Sequence, residues 1–143
     1  MSGLRQPYYE LSAEAMQGLL SSKSALERGP LGKVLIELLY LRVSQINGCA
    51  YCLETHSASL RESGVPQIKL DSLAGWRVSR HFDARERAAL AWAESLSDIT
   101  SSHAADVDYQ PLATHFEARE ISDLTIAVAL MNGLNRLAIG MRL

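Results

Sequence analysis

The segment LGKVLIELLYLRVSQINGCAYCLETHSASLRESG, residues 31–64, decides the fold of this 143-residue chain. Up to Ile46 its apolar residues cover nearly the whole circumference of a helix, a pattern typical of a central helix that is buried on all sides. Asn47 and Gly48 then end this helix. Because neither flank alternates apolar and polar residues, the pair predicts a tight corner between two helices and not a β-hairpin. A second helix follows from Cys49, so the segment predicts an antiparallel helical hairpin.

The sequence on both sides of this hairpin is also typical of helices. Ser12 is a candidate N-cap for a first helix, and Asp83 with Glu86 forms a capping-box pattern before another apolar stripe. Three further helical stretches are predicted at residues 67–74, 111–116 and 118–141. The sequence contains no convincing strand pattern. We therefore expect an all-α, single-domain helical bundle over residues 1–143.

Composition narrows the class of protein. With 48% hydrophobic residues the chain can form a substantial core, which excludes a disordered protein. The formal net charge of −2, with 14 basic and 16 acidic residues scattered along the chain, offers no basic surface for nucleic acid or anionic lipid. The N-terminal stretch lacks the apolar core of a secretory signal, so we expect a cytoplasmic protein.

The stretch LTIAVALMNGLNRLAIGM, residues 124–141, is long and apolar enough to be mistaken for a membrane span. Asn132, Asn135 and Arg136 interrupt it. Because such polar groups are costly in hydrocarbon, we predict a helix that is buried in the protein, without membrane association. One domain of this size can hardly bury such a helix on all faces, which predicts a homo-oligomer. We expect the two asparagines to form hydrogen bonds between subunits.

The two cysteines of the chain lie at the start of the second hairpin helix, spaced C-x-x-C. Cys49 is then the N-cap and Cys52 the third helical position, so both sulfurs lie beside unpaired N–H groups that favour a thiolate. His56 follows one turn after Cys52 on the same face and can exchange a proton with it. In a reducing compartment this spacing predicts a redox or metal site and not a permanent disulfide.

Glu37 is the only charged residue in the apolar run VLIELLYL, and a buried carboxylate needs a partner. In the antiparallel hairpin Glu37 lies about 15 Å before the corner and His56 about 12 Å after it, so the two are nearly level. This predicts a relay in which the Glu37 carboxylate orients the His56 imidazole and the imidazole takes the proton of Cys52. The alternative is a salt bridge from Glu37 to Arg42 or Arg136, which satisfies the charge without catalysis.

The string E-x11-C-x-x-C-x3-H, formed by Glu37, Cys49, Cys52 and His56, resembles the active-site signature of AhpD-like alkylhydroperoxidases in the carboxymuconolactone decarboxylase superfamily. The stretches INGCAYCLETHSASLRESG and LAGWRVSRHFDARERAALAWAE are similar to the small peroxidase-related branch. The resemblance implies an all-helical, AhpD-like core at residues 32–137. It also implies homo-oligomers, either trimers or hexamers built as trimers of dimers, of which we expect the hexamer. We expect no cofactor and no bound metal ion.

The resemblance implies that these four residues provide the proton relay and the redox thiols of a hydroperoxide reductase. As a hypothesis, Cys52 attacks the peroxide, His56 relays the proton and Cys49 closes a disulfide. An external dithiol, lipoyl or thioredoxin-like, then reduces the pair again. Cys49, at the helix start, is expected to be the more exposed sulfur and the contact for this reductant. Some family members carry a second histidine where this sequence has Tyr51, a candidate residue of the pocket mouth.

Three other interpretations of the cysteine pair stay open at this point. Two thiols, His56 and Glu37 form a conceivable zinc site, although structural zinc normally takes four Cys or His ligands. The cysteines can also be two small buried hydrophobic residues without a redox function. A third alternative keeps the scaffold without peroxidase turnover, as a redox sensor or a binding subunit. We expect the remaining histidines to be ordinary surface residues: His81, His103 and His115.

Overall fold

The computed structural model describes residues 3–143, and all regular structure in this part of the chain is helical. The α-helices are, in chain order, α1 (Tyr8–Leu11), α2 (Ala13–Glu27), α3 (Lys33–Asn47), α4 (Ala50–Glu62), α5 (Gln67–Asp71), α6 (Ala84–Ser97), α7 (Ile99–Ser102), α8 (Asp106–Tyr109), α9 (Leu112–His115) and α10 (Ala118–Met141). A short 3-10 helix, Leu73–Gly75, lies between α5 and α6. The predicted all-α fold is confirmed.

The predicted helical hairpin is formed by α3 and α4 and lies at the centre of the molecule. α3 packs against α4, α6 and α10. Its residues Ile36, Leu39 and Val43 are fully buried, because neighbouring helices cover α3 on several sides. Only at the two ends of α3 do apolar residues, Val34 and Ile46, remain exposed. The prediction of a central, buried helix is therefore confirmed for all but its first and last turns.

The corner between α3 and α4 has the geometry that the Asn-Gly pair predicts. Gly48 adopts a left-handed conformation with φ of 71°, which a residue with a side chain rarely tolerates. The backbone N–H groups of Gly48 and Cys49 both donate to the carbonyl oxygen of Ser44, at 2.9 and 3.1 Å. These bonds close the last turn of α3 and set the direction in which the chain begins α4 at Cys49.

Hydrogen bonds from α10 hold the same corner. The side-chain amide of Asn47 donates to the carbonyl oxygens of Asn132 and Asn135, at 2.9 and 3.0 Å. Asn135 is fully buried, and its own amide donates to the hydroxyl of Ser44 at 3.1 Å. The expectation of hydrogen bonds between subunits is therefore wrong for the fully buried Asn135, whereas for the partly exposed Asn132 it stays a prediction. Their partners lie in the same chain, because α10 packs beside the α3–α4 corner.

α10 packs one face on the rest of the chain. By length and composition it is able to cross a membrane, but the core helix of a soluble protein passes the same test. Its buried residues include Leu124, Val128 and Met131, whereas Ile126 is half exposed. Within this chain, 33% of its most apolar window is buried. The exposed remainder is the part of α10 on which the predicted homo-oligomer depends.

Helix starts follow the sequence signals only in part. The capping box of α6 is confirmed, with the Asp83 carboxylate accepting from the Glu86 N–H at 2.8 Å. Ser12 precedes α2 as expected, but its side chain makes no capping hydrogen bond. The four-residue helices α1, α7 and α8 lie outside the predicted helices, because a single turn is too short to show helical periodicity.

Candidate active site

Glu37 and His56 form a buried pair across the helical hairpin. The Nδ1 atom of His56 lies 2.7 Å from Oε2 of Glu37, and the two residues are 5% and 4% exposed. Because a carboxylate can only accept, Nδ1 carries the hydrogen and donates it to Glu37, which leaves Nε2 free to accept a proton. The predicted proximity of the two residues across the hairpin is confirmed.

Neither of the two alternative partners of Glu37 forms an ion pair with it. Arg42 donates to the side chain of Gln45 and forms an ion pair with Glu94 at 3.6 Å. Arg136 is exposed on α10. The alternative interpretation, a salt bridge from Glu37 to Arg42 or Arg136, is therefore wrong.

Tyr40 packs against the imidazole of His56 inside the core. The two ring centroids are 5.3 Å apart and the ring planes are tilted by 53°. Tyr40 is fully buried, and its hydroxyl has no hydrogen-bond partner among residues 3–143. Burial, reinforced by the carboxylates of Glu27 and Glu37, raises the pKa of Tyr40, so its hydroxyl stays neutral. The sequence carries no signal for this contact, since an aromatic residue in an apolar helix is ordinary.

The two cysteines form a disulfide at the start of α4. Cys49 is the N-cap of this helix, and its sulfur accepts a hydrogen bond from the Cys52 N–H at 3.3 Å, which confirms the predicted position of both sulfurs. Cys49 is 1% exposed and Cys52 is 5% exposed, so the expectation that Cys49 is the more exposed sulfur is wrong. The reason is that Ala138 and Ile139 of α10 pack against the cysteine pair.

A cavity of about 380 Å³ lies beside the buried pair. Cys52, His56 and Glu37 all line it, so the structure brings three of the predicted site residues to one space. Among the described residues, His56 makes no hydrogen bond to the Cys52 sulfur, which is bonded to Cys49. A proton transfer between His56 and Cys52, as the sequence predicts it, requires the reduced form of the cysteine pair.

Aromatic side chains form much of the remaining wall of this cavity. Tyr8 and Tyr9 of α1 lie there together with Tyr51 of α4, which is 47% exposed. Burial, together with the neighbouring Tyr9 and Tyr51, raises the pKa of Tyr8 to about 12, so its hydroxyl is neutral at physiological pH. Tyr51 is predicted from the sequence, but Tyr8 and Tyr9 are not, because nothing in the sequence shows that this first segment folds back onto the CxxC pair.

A second, smaller cavity of about 150 Å³ reaches Cys49. Its wall includes Gly48 of the corner and Arg142, and it contains neither the Glu-His pair nor the second cysteine. Tyr51 and Ala138 border both cavities. The two cysteines of one disulfide thus line different cavities.

The remaining candidate residues lie apart from this site. Trp76 and Trp92 are buried, and their indole N–H groups donate to Glu94 and Thr125 at 2.9 Å each. In the part of the chain that the structure describes, no group of three His, Cys, Asp or Glu side chains is arranged to hold a metal ion, so the zinc interpretation finds no ligand set there. The other histidines are at least partly exposed and line neither cavity: His81, His103 and His115.

Sequence comparison relates the chain to known proteins. Residues 10–95 match the model of the carboxymuconolactone decarboxylase family. The uncharacterized protein YdfG of Bacillus subtilis (strain 168) is 28% identical over 137 residues, which cover 96% of this chain and 93% of YdfG. A stretch of 33 residues is 58% identical to the alkyl hydroperoxide reductase AhpD of Nocardia farcinica (strain IFM 10152), covering 23% of this chain and 18% of that protein.

Structural comparison extends this relation over nearly the whole chain. The crystal structure of a protein of unknown function from Agrobacterium tumefaciens, for which the role of antioxidant defence protein AhpD has been suggested, matches with a TM-score of 0.93. The two chains are 31% identical, and the match covers 98% of this chain and 96% of the other. The fold, the CxxC pair and the sequence match therefore agree: this chain belongs to the carboxymuconolactone decarboxylase family, in its AhpD-like branch.

Proposed function

We propose that the protein is a thiol-dependent hydroperoxide reductase that cycles its CxxC pair between dithiol and disulfide. The observation that carries this proposal is the buried Glu37–His56 hydrogen bond of 2.7 Å beside the cavity that Cys52 lines. The disulfide between Cys49 and Cys52 corresponds to the oxidised state of the cycle. The relation to an alkyl hydroperoxide reductase and to a suggested antioxidant defence protein supports the same class of reaction.

In the reduced form, Nε2 of His56 takes the proton of the Cys52 thiol, and the N-terminus of α4 stabilises the thiolate. The thiolate attacks the terminal oxygen of the hydroperoxide. An S–O bond forms, the O–O bond breaks, and the alkoxide leaves as an alcohol with the proton from His56. Cys49 then attacks the sulfenic sulfur, and its thiol proton leaves with the hydroxyl as water. Glu37 keeps the imidazole in the tautomer with a free Nε2 and stabilises its charged form.

The cycle needs two electrons, which an external dithiol, lipoyl or thioredoxin-like, supplies. One thiolate of this reductant attacks Cys49 through the smaller cavity, and Cys52 leaves as a thiolate beside His56. The second thiol of the reductant then attacks the mixed disulfide and releases Cys49. The separate cavities at the two sulfurs support this division between a peroxide side and a reductant side.

The test of this function is a turnover measurement with cumene hydroperoxide and a dithiol such as dihydrolipoamide. We expect many turnovers per site in the wild type and none in Cys52→Ser. In Cys49→Ser we expect one oxidation per site, which stops at the sulfenic acid. An active Cys52→Ser variant beside an unreactive Cys49→Ser variant would reverse the two roles. A wild type that oxidises only once per site would indicate the alternative, a redox sensor on the same scaffold.

We also propose that the working form is a homo-oligomer, with a trimer of dimers as the expected assembly. Support comes from the exposed apolar part of α10, where Ile126 is 50% exposed. Light scattering should give a mass several times that of one chain, and a monomer in this measurement would contradict the proposal.

A further inference from the structure

The cavity at Cys52 is far larger than the smallest peroxide requires. A water molecule takes about 30 Å³ in the liquid, and hydrogen peroxide has only one more oxygen atom. The cavity measures about 380 Å³, within the range typical of sites for small organic molecules. It therefore has room for an organic hydroperoxide with a sizeable body, and the residues of its wall indicate the chemistry of this body.

The helical hairpin separates the reactive end of the cavity from a charged end. His56 and Glu37 lie at the same level of the hairpin because they are hydrogen bonded to each other. Cys52 is one helical turn from His56 toward the corner, and Lys33 is one turn from Glu37 in the opposite direction. The levels of Cys52 and Lys33 are thus about 11 Å apart along the hairpin, at about 5.4 Å per turn.

The end of the cavity away from Cys52 contains a lysine without an ion-pair partner. Lys23 and Glu27 of α2 pair with each other at 2.7 Å, so their charges cancel. The carboxylate of Glu37 is occupied by its imidazole partner. Lys33 lines the same cavity and forms no ion pair with the residues that the structure describes. Lys33 is therefore the lysine of this cavity whose ammonium group is not held in an ion pair.

The wall of the cavity also contains apolar side chains from two further helices. Leu20 comes from α2, and Met131 and Leu134 come from α10. Thr55 and Ser59 of α4 are polar residues without charge in the same wall. A hydrocarbon body in this space displaces water from apolar surface, which favours its binding.

We infer that the preferred substrate is an amphipathic organic hydroperoxide, with an apolar body and a carboxylate that binds Lys33 about 11 Å from the attacked peroxide. This inference rests on the proposed hydroperoxide reductase function and names its class of substrate. The Nζ atom of Lys33 donates a charge-assisted hydrogen bond to the carboxylate, while the peroxide lies at Cys52 and His56. Lys33 is thus a residue that determines specificity and takes no part in the bond changes.

The kinetic test compares linoleic acid hydroperoxide with its methyl ester as substrates of the full chain, both below their micelle concentrations. The two compounds differ in the charge of the acid group. We expect kcat/KM to be about tenfold higher for the acid. Lys33→Gln should remove this preference through KM, and Lys33→Arg should retain it. Equal values of kcat/KM for acid and ester in the wild type would overturn the inference.

A matched control separates local recognition from the overall charge of the protein. Lys69→Gln removes the same charge, but Lys69 pairs with Glu86 outside the cavity, so this variant should keep the wild-type preference. If Lys69→Gln and Lys33→Gln lose the preference to the same extent, the effect comes from net charge and the assignment of Lys33 is wrong.

A binding measurement distinguishes failure of this inference from failure of the proposed function. The hydroxy acid formed by reduction of the substrate contains no peroxide, so calorimetry with this compound does not depend on turnover. We expect the hydroxy acid to bind the wild type about tenfold more tightly than its methyl ester does. The hydroxy acid should also bind the wild type about tenfold more tightly than it binds Lys33→Gln. If it binds in this way while no hydroperoxide is turned over, the ligand class is correct and the peroxidase proposal fails. If hydroperoxides are turned over without any effect of the acid group, the peroxidase proposal stands and the ligand class is wrong.

Discussion

The two walls of the cavity are built in different ways. The α3–α4 wall carries Glu37, His56 and Cys52, none of them more than 5% exposed, on the central hairpin of the fold. Another part of the wall is formed by α1 and α2, and of the 15 residues of α2 only Met16 and Leu26 are buried. The groups that perform the proposed chemistry thus lie on a tightly packed element, whereas much of the surface facing the substrate body lies on a loosely packed one.

This contrast has a physical reason. A proton relay works only when its groups are held close to their productive geometry, which requires side chains locked by packing. Admission of an organic molecule to a partly closed cavity requires local opening instead. A helix with few buried residues opens at a free energy well below that of global unfolding. One cavity can therefore combine a rigid wall that holds the reactive groups with a loosely packed wall that opens to admit the substrate.

The largest effect on the catalytic rate is expected for Glu37→Gln, a substitution in the α3–α4 wall. Glutamine keeps the shape of the side chain, but the imidazole loses its carboxylate partner, so we expect kcat/KM for cumene hydroperoxide to fall by about a hundred- to a thousandfold. Ultraviolet absorbance should also show less thiolate at neutral pH. Glu54→Gln, which changes an exposed glutamate of α4 outside the cavity, should keep the wild-type rate. An unchanged rate in Glu37→Gln would remove the carboxylate from the mechanism.

Truncation of one apolar residue in each wall tests the difference in packing. Ile36→Ala leaves a cavity next to fully buried neighbours in α3 and should lower the free energy of unfolding by about 3 kcal/mol. Leu20→Ala in α2, at a position that is 37% exposed, should lower it by less than about 1 kcal/mol. Urea unfolding of both variants measures the two losses. Equal losses would show that α2 is held as tightly as α3.

The asparagine contacts at the corner provide a finer test of the rigid wall. Asn135→Ala leaves the buried hydroxyl of Ser44 without its donor and the amide of Asn47 with one acceptor fewer, so we expect a loss of about 2 kcal/mol. Asn132→Ala, at a partly exposed position, is the matched control and should lose about 1 kcal/mol. Thermal unfolding compares the two variants. A larger loss in Asn132→Ala would mean that the buried asparagine is not the main tie to the corner.

The smallest effect is expected for Tyr40→Phe, which keeps the ring against His56 and removes a buried hydroxyl without a partner. Stability at pH 7 should be unchanged or higher by up to about 1 kcal/mol. Because folding raises the pKa of Tyr40, the wild type should lose stability as the pH rises above about 10, and the variant should lose less. Urea unfolding at neutral pH and near pH 11 checks both statements. A less stable variant at pH 7 would mean that the hydroxyl has a partner.

Predictions from the sequence agree best with the structure where a repeated pattern or a fixed helical rise sets the geometry. Helix α10 is predicted at residues 118–141 and is found at Ala118–Met141. The level of Glu37 beside His56 follows from counting residues on each side of the corner, since each helical residue advances by about 1.5 Å. The hydrogen bond between them confirms this count.

Predictions from the sequence were wrong or missing where segments that are far apart in the chain pack together. The contacts of Asn132 and Asn135 are intramolecular because α10 packs beside the α3–α4 corner, a relation that no local pattern shows. Cys49 is 1% exposed, because α10 packs against the cysteine pair, although its position at the helix start suggests an exposed sulfur. Likewise, Tyr8 reaches the cavity only because α1 returns to the hairpin.

The sequence alone predicts the helical hairpin, the position of the two sulfurs at a helix start and the proximity of a carboxylate to an imidazole. These properties follow from helical periodicity and rise, which act over one or two turns and are read along the chain. The tertiary structure is needed to show which cavity each cysteine lines, which side chains form the substrate wall, and which lysine of the cavity forms no ion pair. Those properties depend on how α1, α2 and α10 pack on the hairpin, and packing between distant segments leaves no periodic mark in the sequence.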